Sequence, residues 1–283
     1  MILLDYSGVA IASITSQLVR DKTKNFDEQL GRHIILNNIR TTRNKFKSKF
    51  GEIVLCIDDY SSSYWRKDYF PYYKHSRKKK YETGIDWNAI YNILNNVREE
   101  LREYFPYKII QVPKCEADDI IGTLSFNAVE PTVIISKDED FQQLRSKERD
   151  IFQYIYTKKA FASSVNVEKA LKEKIIRGDV GDGIPNILSP DDTFVTGGRQ
   201  KKLSNKSVIE WLNKDPKDFC STPEMLHNYH RNELLIDLSK IPEQYKNNIL
   251  TAYNDATINN RSKLMNYFIK YKLRNLSEYL GEF

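Results

Sequence analysis

The stretch Lys108-Ile109-Ile110-Gln111-Val112, followed by Pro113-Lys114-Cys115 and then Glu116-Ala117-Asp118-Asp119-Ile120-Ile121, decides the fold. An apolar run of strand length leads through a Pro-containing connection into acids at the head of a helix-like run, Asp118–Phe126. The same order recurs along the first half of the chain. Ile2–Leu4 reads as a strand ended by Asp5, and Glu52–Ile57 as one ended by Asp58 and Asp59. Thr132–Ser136 precedes Asp138 and Asp140, and Asp150–Tyr156 reads as a fifth strand. Helical spacing fills the gaps. Phe26, Leu30, Ile34, Ile39, Phe46 and Phe50 are broadly helical, while Trp87, Ile90, Leu94, Val97, Leu101 and Tyr104 step by three and four behind a capping Asp86. Strand and helix in alternation predict an α/β fold with a mostly parallel central sheet covered by helices on both faces.

Composition sets the outer bounds. A chain of 283 residues, 40 % apolar and 12 % aromatic, can bury a sizeable core and is not a disordered polymer. No run of 18 apolar residues exists, so no membrane span is expected, and Met1–Asp5 lacks the basic and long apolar parts of a signal peptide. Cys56, Cys115 and Cys220 are widely spaced, as free thiols in a reducing cytosol would be. His227 and His230 read as a solvated pair rather than zinc ligands. From Gly178 onward the pattern is helical, which divides the chain into an α/β core, 1–177, and a helical region, 178–283.

Four acidic clusters follow four strand-like runs: Asp5; Asp58 and Asp59; Glu116, Asp118 and Asp119; Asp138 and Asp140. Any one alone would be read as a helix cap. In a parallel sheet, however, strand ends of like polarity share the edge where ligands bind. Two carboxylates about 4 Å apart repel by roughly 4 kcal/mol at an effective dielectric near 20, so several together call for counter-charge. Hard dications with oxygen ligands supply it, and two of them can activate water at a phosphodiester. Asp59 and Glu139 are expected to face solvent. A further pair lies in Gly178-Asp179-Val180-Gly181-Asp182-Gly183-Ile184-Pro185, where one helical turn would put Asp179 and Asp182 on one face and the glycines would let backbone approach a phosphate.

Order and spacing of Glu116-Ala117-Asp118-Asp119, Ser136-Lys137-Asp138-Glu139-Asp140 and Gly178-Asp179-Val180-Gly181-Asp182, with Asp5 and Asp58, resemble the flap endonuclease or 5′-nuclease superfamily, and within it the ribonuclease H group of T-even-like bacteriophages. The resemblance covers nearly the whole chain. It implies a PIN/5′-nuclease-like sheet with a helical arch, here residues 60–86, and a helix–three-turn–helix element beginning near Gly178. It implies two Mg²⁺, with Mn²⁺ as a substitute: Asp5, Asp58, Glu116, Asp118 and Asp138 at the first, partly through waters, and Asp140, Asp179 and Asp182 at the second, with Asp138 near both. Asp119 matches a further catalytic acid of phage and bacterial members. The implied reaction is hydrolysis to a 5′-phosphate and a 3′-hydroxyl, removing RNA primers and flaps in phage DNA replication. A phage single-stranded-DNA-binding protein as partner, a monomeric state and a place in the cytoplasm of the infected host complete the expectation.

Setting aside the nine matched acids leaves 29 of the 38 acidic residues against 44 basic ones, a field suited to a phosphate backbone. The densest stretch carries Arg66, Lys67, Lys74, Arg77 and Lys78 among Tyr64, Trp65, Tyr69, Phe70, Tyr72 and Tyr73, as in proteins that stack bases and hold phosphates together. Lys74 and Arg77 are the choices for the scissile region. Gly197, Gly198, Arg199, Lys201 and Lys202 form a second candidate contact for the duplex strand. Ser204 reads as a helix cap ahead of a buried face of Val208, Ile209, Trp211 and Leu212. A single-strand endoribonuclease on the same sheet and a non-catalytic DNA-structure binder are the competing functions.

Overall fold

The computed structural model describes residues 1–21, 27–75 and 85–283. The strands are β1 (Ile2–Asp5), β2 (Ile53–Cys56), β3 (Lys108–Ile110), β4 (Thr132–Ile135), β5 (Ile151–Ile155) and β6 (Ala160–Phe161). Their order in the sheet is β3-β2-β1-β4-β5-β6. All neighbours pair in parallel except β6, a two-residue antiparallel strip on the edge of β5. The helices are α1 (Tyr6–Asp21), α2 (Glu28–Phe50), α3 (Arg66–Tyr69), α4 (Trp87–Tyr104), α5 (Ala117–Phe126), α6 (Val167–Arg177), α7 (Asn205–Trp211), α8 (Pro216–Phe219), α9 (Pro223–Ile236), α10 (Glu243–Asp255), α11 (Leu264–Lys270) and α12 (Arg274–Ser277). Among the described residues no helix is long and apolar enough to cross a membrane.

The central strands β1, β2 and β4 are buried on both faces, and alternate residues feed opposite cores. Ile2, Leu4, Ile53, Leu55, Val133 and Ile135 face α1, α2 and α4. Leu3, Val54, Cys56 and Ile134 face α5 and α10. The carboxylate of Asp86 caps α4, accepting from the Ala89 N–H at 3.0 Å, as its sequence predicts. A buried polar tie aligns three helices on the first face. The Arg32 guanidinium of α2 donates to both oxygens of Glu100 on α4, at 2.9 Å each, and Tyr267 of α11 donates to the same carboxylate at 2.6 Å.

The chain's last third is divided between two places. Ile175, Ile176, Ile184, Ile187, Val208, Phe219, Met225, Tyr229 and Leu235 join Phe70 and Tyr73 in a third core of their own. Residues 238–283 instead return to the sheet: Leu238, Ile241, Tyr245 and Ile249 pack on one face, and Leu264, Tyr267, Phe268, Leu276 and Phe283 on the other. Helix α1 has no counterpart among the elements read from sequence, because Val9, Ala10, Ile14 and Leu18 alternate with serines and threonines that mute its apolar stripe. Ser204 caps α7 as expected, accepting from the Ser207 N–H at 3.0 Å. Ile209, expected on its buried face, is 65 % exposed, because α7 is a two-turn helix that buries only Val208 fully.

Leu55 lies in the middle of the sheet with none of its surface exposed, so Leu55→Ala is expected to cost about 3 kcal/mol in a denaturant titration. Ile209→Ser should stay within about 0.5 kcal/mol of the parent. A loss below about 1 kcal/mol at Leu55 would contradict the packing described.

Candidate active site

The strand order reverses between β1 and β4, so the crevice at their C-terminal ends is the switch point of the sheet. Asp5 closes β1 there. The Gly8 N–H donates to its carboxylate at 2.9 Å and the Ser136 hydroxyl, just past β4, donates to it at 3.0 Å. A Cβ on Gly8 would lie 2.2 Å from the Asp5 carboxylate, so this close approach requires glycine. Beyond β2, Asp58 accepts from the Ala117 N–H at the head of α5, at 2.9 Å, and from the Tyr60 hydroxyl at 3.0 Å. Beyond β4, Asp138 caps a 3-10 turn (Glu139–Leu144) by accepting from the Asp140 N–H at 2.9 Å. Glu116, Asp118 and Asp119 sit at the start of α5.

The helical region closes the crevice from the other side. Asp179 and Ile184 form an antiparallel bridge, with N–H···O distances of 2.9 and 2.7 Å. The two acids therefore meet across a tight turn and not along a helix as the three-residue spacing suggested; the Asp182 N–H donates to Asp179 at 3.1 Å. The glycines serve this turn rather than a phosphate. Gly178 (φ 69°) lies against the carbonyls of Ile184 and Pro185, and Gly183 (φ 75°) against that of Tyr72. Asp118, Asp140, Asp179 and Asp182 line one small pocket.

Among the described residues no three carboxylates close on a single point as a finished coordination sphere. Two ammonium groups lie between them instead. Lys174, on the last turn of α6, pairs with Asp140 and reaches Asp179 at 3.1 Å. Lys74 pairs with Glu116 and reaches Asp182 at 3.7 Å. The Tyr73 hydroxyl joins the same two acids, 2.8 Å from Glu116 and 2.9 Å from Asp182. The strain among the remaining acids shows in their acidity. Burial, and then Asp58, pushes the Asp5 carboxyl up to about 7. Burial, then Asp138 and Glu116, drives Asp118 well above the usual range. Asp138 is raised by burial and by Asp182 and Asp179, against the pull of Lys174. Burial would raise Glu116 too, but Lys74 and Arg66 hold it below its ordinary value. A set of hard oxygens that repel one another and accept two cations fits divalent metal ions.

The geometry revises several expectations about this neighbourhood. Asp119 is committed to structural partners rather than turned into the crevice. With none of its surface exposed, it accepts from the Trp65 indole at 3.0 Å and the Glu116 N–H at 2.8 Å, and pairs with Arg66 at 2.8 Å. Arg66 is correspondingly no nucleic-acid contact: 3 % exposed, it bridges Glu116 and Asp119 and donates to the Leu235 carbonyl at 2.9 Å. Trp65, Phe70 and Tyr73, candidates for base stacking, are likewise core residues, and Tyr72 is half-buried against Phe70. Asp59 does not face solvent but is buried, fixing Ser61, Ser62 and the Lys114 N–H; Glu139 is exposed as expected. Lys67, Gly197, Gly198, Arg199, Lys201 and Lys202 are all exposed. Arg77 and Lys78, like most of the cationic part of the arch, lie outside the described residues. Lys174, Tyr73 and Ser136 are the members that sequence reading missed; a lysine at a helix end and a tyrosine in an aromatic run carry no signal that separates them from their neighbours.

Known proteins match the chain at both ends and over its whole length. Residues 16–175 match the model of the 5′-3′ exonuclease N-terminal, resolvase-like domain, and residues 163–283 match that of the T4 RNase H C-terminal region. The ribonuclease H of Enterobacteria phage T4 is 32 % identical over 292 aligned residues, covering 99 % of this chain and 95 % of that protein. The T5 D15 protein co-crystallised with metal ions superposes with a TM-score of 0.59 at 15 % identity, over 90 % of this chain and 97 % of that one. The T5 D15 flap endonuclease in a pseudo-enzyme–product complex with DNA and metal ions does so with a TM-score of 0.59 at 16 % identity, over 90 % and 99 %. At that identity the structures speak for the fold, whereas the family models and the T4 relative speak for descent: the chain belongs to the 5′-3′ exonuclease family, in the branch that shares the T4 RNase H C-terminal region.

Proposed function

We propose that this family member is a metal-dependent 5′-nuclease that hydrolyses phosphodiesters near free 5′ ends and 5′ flaps of DNA and RNA–DNA duplexes, removing primers and flaps in phage DNA replication and repair. One observation carries the reading: carboxylates from four strand ends and one turn share a crevice in which only cations relieve their repulsion. The name ribonuclease H on the T4 relative, and flap endonuclease with DNA and metal ions on the T5 structure, support the substrate class.

In this reading Asp5, Asp58, Glu116, Asp118 and Asp138 hold one Mg²⁺, partly through waters, and Asp140, Asp179 and Asp182 a second, with Asp138 between them and Mn²⁺ able to replace both. Ions bound there supply an activated water and neutralise charge on the departing oxygen. The protein's own part is placement. Gly8, Ser136 and Ala117 aim Asp5 and Asp58 through fixed hydrogen bonds, and Tyr73 keeps Glu116 and Asp182 in register. Lys74, held between Glu116 and Asp182, turns to the scissile phosphate, and Arg77, outside the described residues, is the second cation assigned to it. Lys67, Tyr72 and Lys78, with Gly197, Gly198, Arg199, Lys201 and Lys202, hold the strands. The chain acts as a monomer in the infected cell, and its helical region contacts a phage single-stranded-DNA-binding protein.

With Mg²⁺ the purified protein is expected to cut an end-labelled 5′ flap, and Asp138→Asn to lose at least about 10³-fold of that rate while still binding the flap in a gel shift. An intact flap after incubation with the parent protein would sink the proposal. In chelator, Asp118→Asn should melt a few degrees above the parent, because one repelling carboxylate is gone, and Mg²⁺ should no longer stabilise it. A parent melting temperature indifferent to Mg²⁺ would contradict the metal reading. Arg66→Ala should lose about 3–5 kcal/mol of stability by stranding buried Glu116 and Asp119. Lys67→Ala should instead leave stability unchanged and weaken flap binding in a salt-sensitive way; the reverse pattern would return Arg66 to the nucleic-acid surface.

A further inference from the structure

Gln153 breaks the pattern of its strand. In β5 it pairs with Ile134 of β4, a position the alternation assigns to the core shared by Ile134 and Ile151. A glutamine there is 3 % exposed, and its side-chain oxygen is buried with no hydrogen-bond partner. Leaving a buried polar atom unpaired costs about 1–3 kcal/mol, which an apolar side chain of the same shape would avoid. The other end of the amide shows what offsets that cost. Its nitrogen donates to the carbonyl of Asp138 at 2.6 Å and to that of Ser136 at 3.3 Å.

Those two carbonyls belong to the turn that carries the switch-point acids. The Asp138 N–H donates back to the Ser136 hydroxyl at 3.1 Å, and that hydroxyl donates to Asp5 at 3.0 Å. The Asp138 carboxylate in turn accepts from the Asp140 N–H. Lys137 and Glu139 on either side of Asp138 are exposed, so little other packing holds the turn in place. One buried amide on the neighbouring strand therefore fixes the main chain beneath Asp138 and, through Ser136 and the Asp140 N–H, the relation of Asp138 to Asp5 and Asp140.

We infer that Gln153 is a positioning residue of the active site: its amide clamps the Ser136–Asp138 turn so that Asp5, Asp138 and Asp140 meet at the spacing divalent ions require, and the strand tolerates an unpaired oxygen to gain this. The inference rests on the assignment of these acids as metal ligands. It predicts a separation that a packing role would not produce. Gln153→Met keeps the length and volume but removes both the clamp and the unpaired oxygen, so it should melt no lower than the parent. Its kcat should fall about 10–100-fold at little change in KM for a 5′ flap, the range typical for loss of a group that orients a metal ligand. The Mn²⁺ concentration giving half of the full thermal shift, read without substrate, should rise by a similar factor. Gln153→Glu keeps the shape but cannot donate, and should lose at least as much. Asp138→Asn, measured in parallel, separates the two claims. If it cuts normally, the ligand assignment fails. If it is inactive while Gln153→Met keeps the parent's kcat and Mn²⁺ response, the clamp alone is overturned. A Gln153→Met protein that melts well below the parent would make Gln153 a packing residue and overturn it as well.

Discussion

Like charge at the C-terminal edge of the sheet governs this molecule. Asp5, Asp58, Glu116, Asp118 and Asp138 lie beyond the ends of four adjacent parallel strands, and the burial that gives the crevice its shape also removes the water that would screen them. The protein answers with cations of three kinds. Arg66, wholly inside, ties Glu116 to the structural acid Asp119. Lys74, from the stretch after α3, and Lys174, from the end of α6, lie between pairs of acids that repel one another. The remaining deficit of positive charge is what small dications correct. The helical region is therefore part of the site's electrostatics, since it delivers Asp179 and Asp182 beside the Lys174 of α6.

A division of labour among the carboxylates follows. Asp119 and Asp59 resemble their neighbours in sequence, yet each spends its oxygens on fixed partners: Trp65, Arg66 and the Glu116 N–H for one, Ser61, Ser62 and the Lys114 N–H for the other. They hold the loops on which Asp58 and Glu116 stand. Asp5, Asp118 and Asp138 are acids whose acidity burial and repulsion have weakened, a combination that suits a ligand rather than a cap.

Much of this was legible in the chain itself. The strand–acid–helix grammar of residues 108–126 repeats often enough to predict a parallel sheet, and with it the gathering of the acids, since strands of one polarity place their ends together. Local spacing could not show direction. Arg66 and Lys67 are neighbours in a basic aromatic run, but only one turns outward, because α3 is a single turn laid against the start of α5 and the end of α9. Asp179 and Asp182 suited a helical turn by spacing, whereas the glycines around them build a bridge. Lys174 is one lysine among 44 basic residues, and only the packing of α6 beside the 3-10 turn at Glu139–Leu144 singles it out.

The return of residues 238–283 to both faces of the sheet bears on how the protein is made. Strands β1 to β5 are complete in sequence long before α10 and α11 exist, yet those helices complete the cores to which Leu3 and Ile134 on one side and Ile2 and Leu55 on the other belong. Contacts spanning most of the chain must close before the apolar sheet is shielded, and such topologies fold slowly and expose sticky intermediates. A ribosome-bound chain that has emerged only as far as Asp182 holds every acid of the crevice but lacks the last apolar residues of the core on either face. The acids are thus present in the chain before the cores that position them are complete.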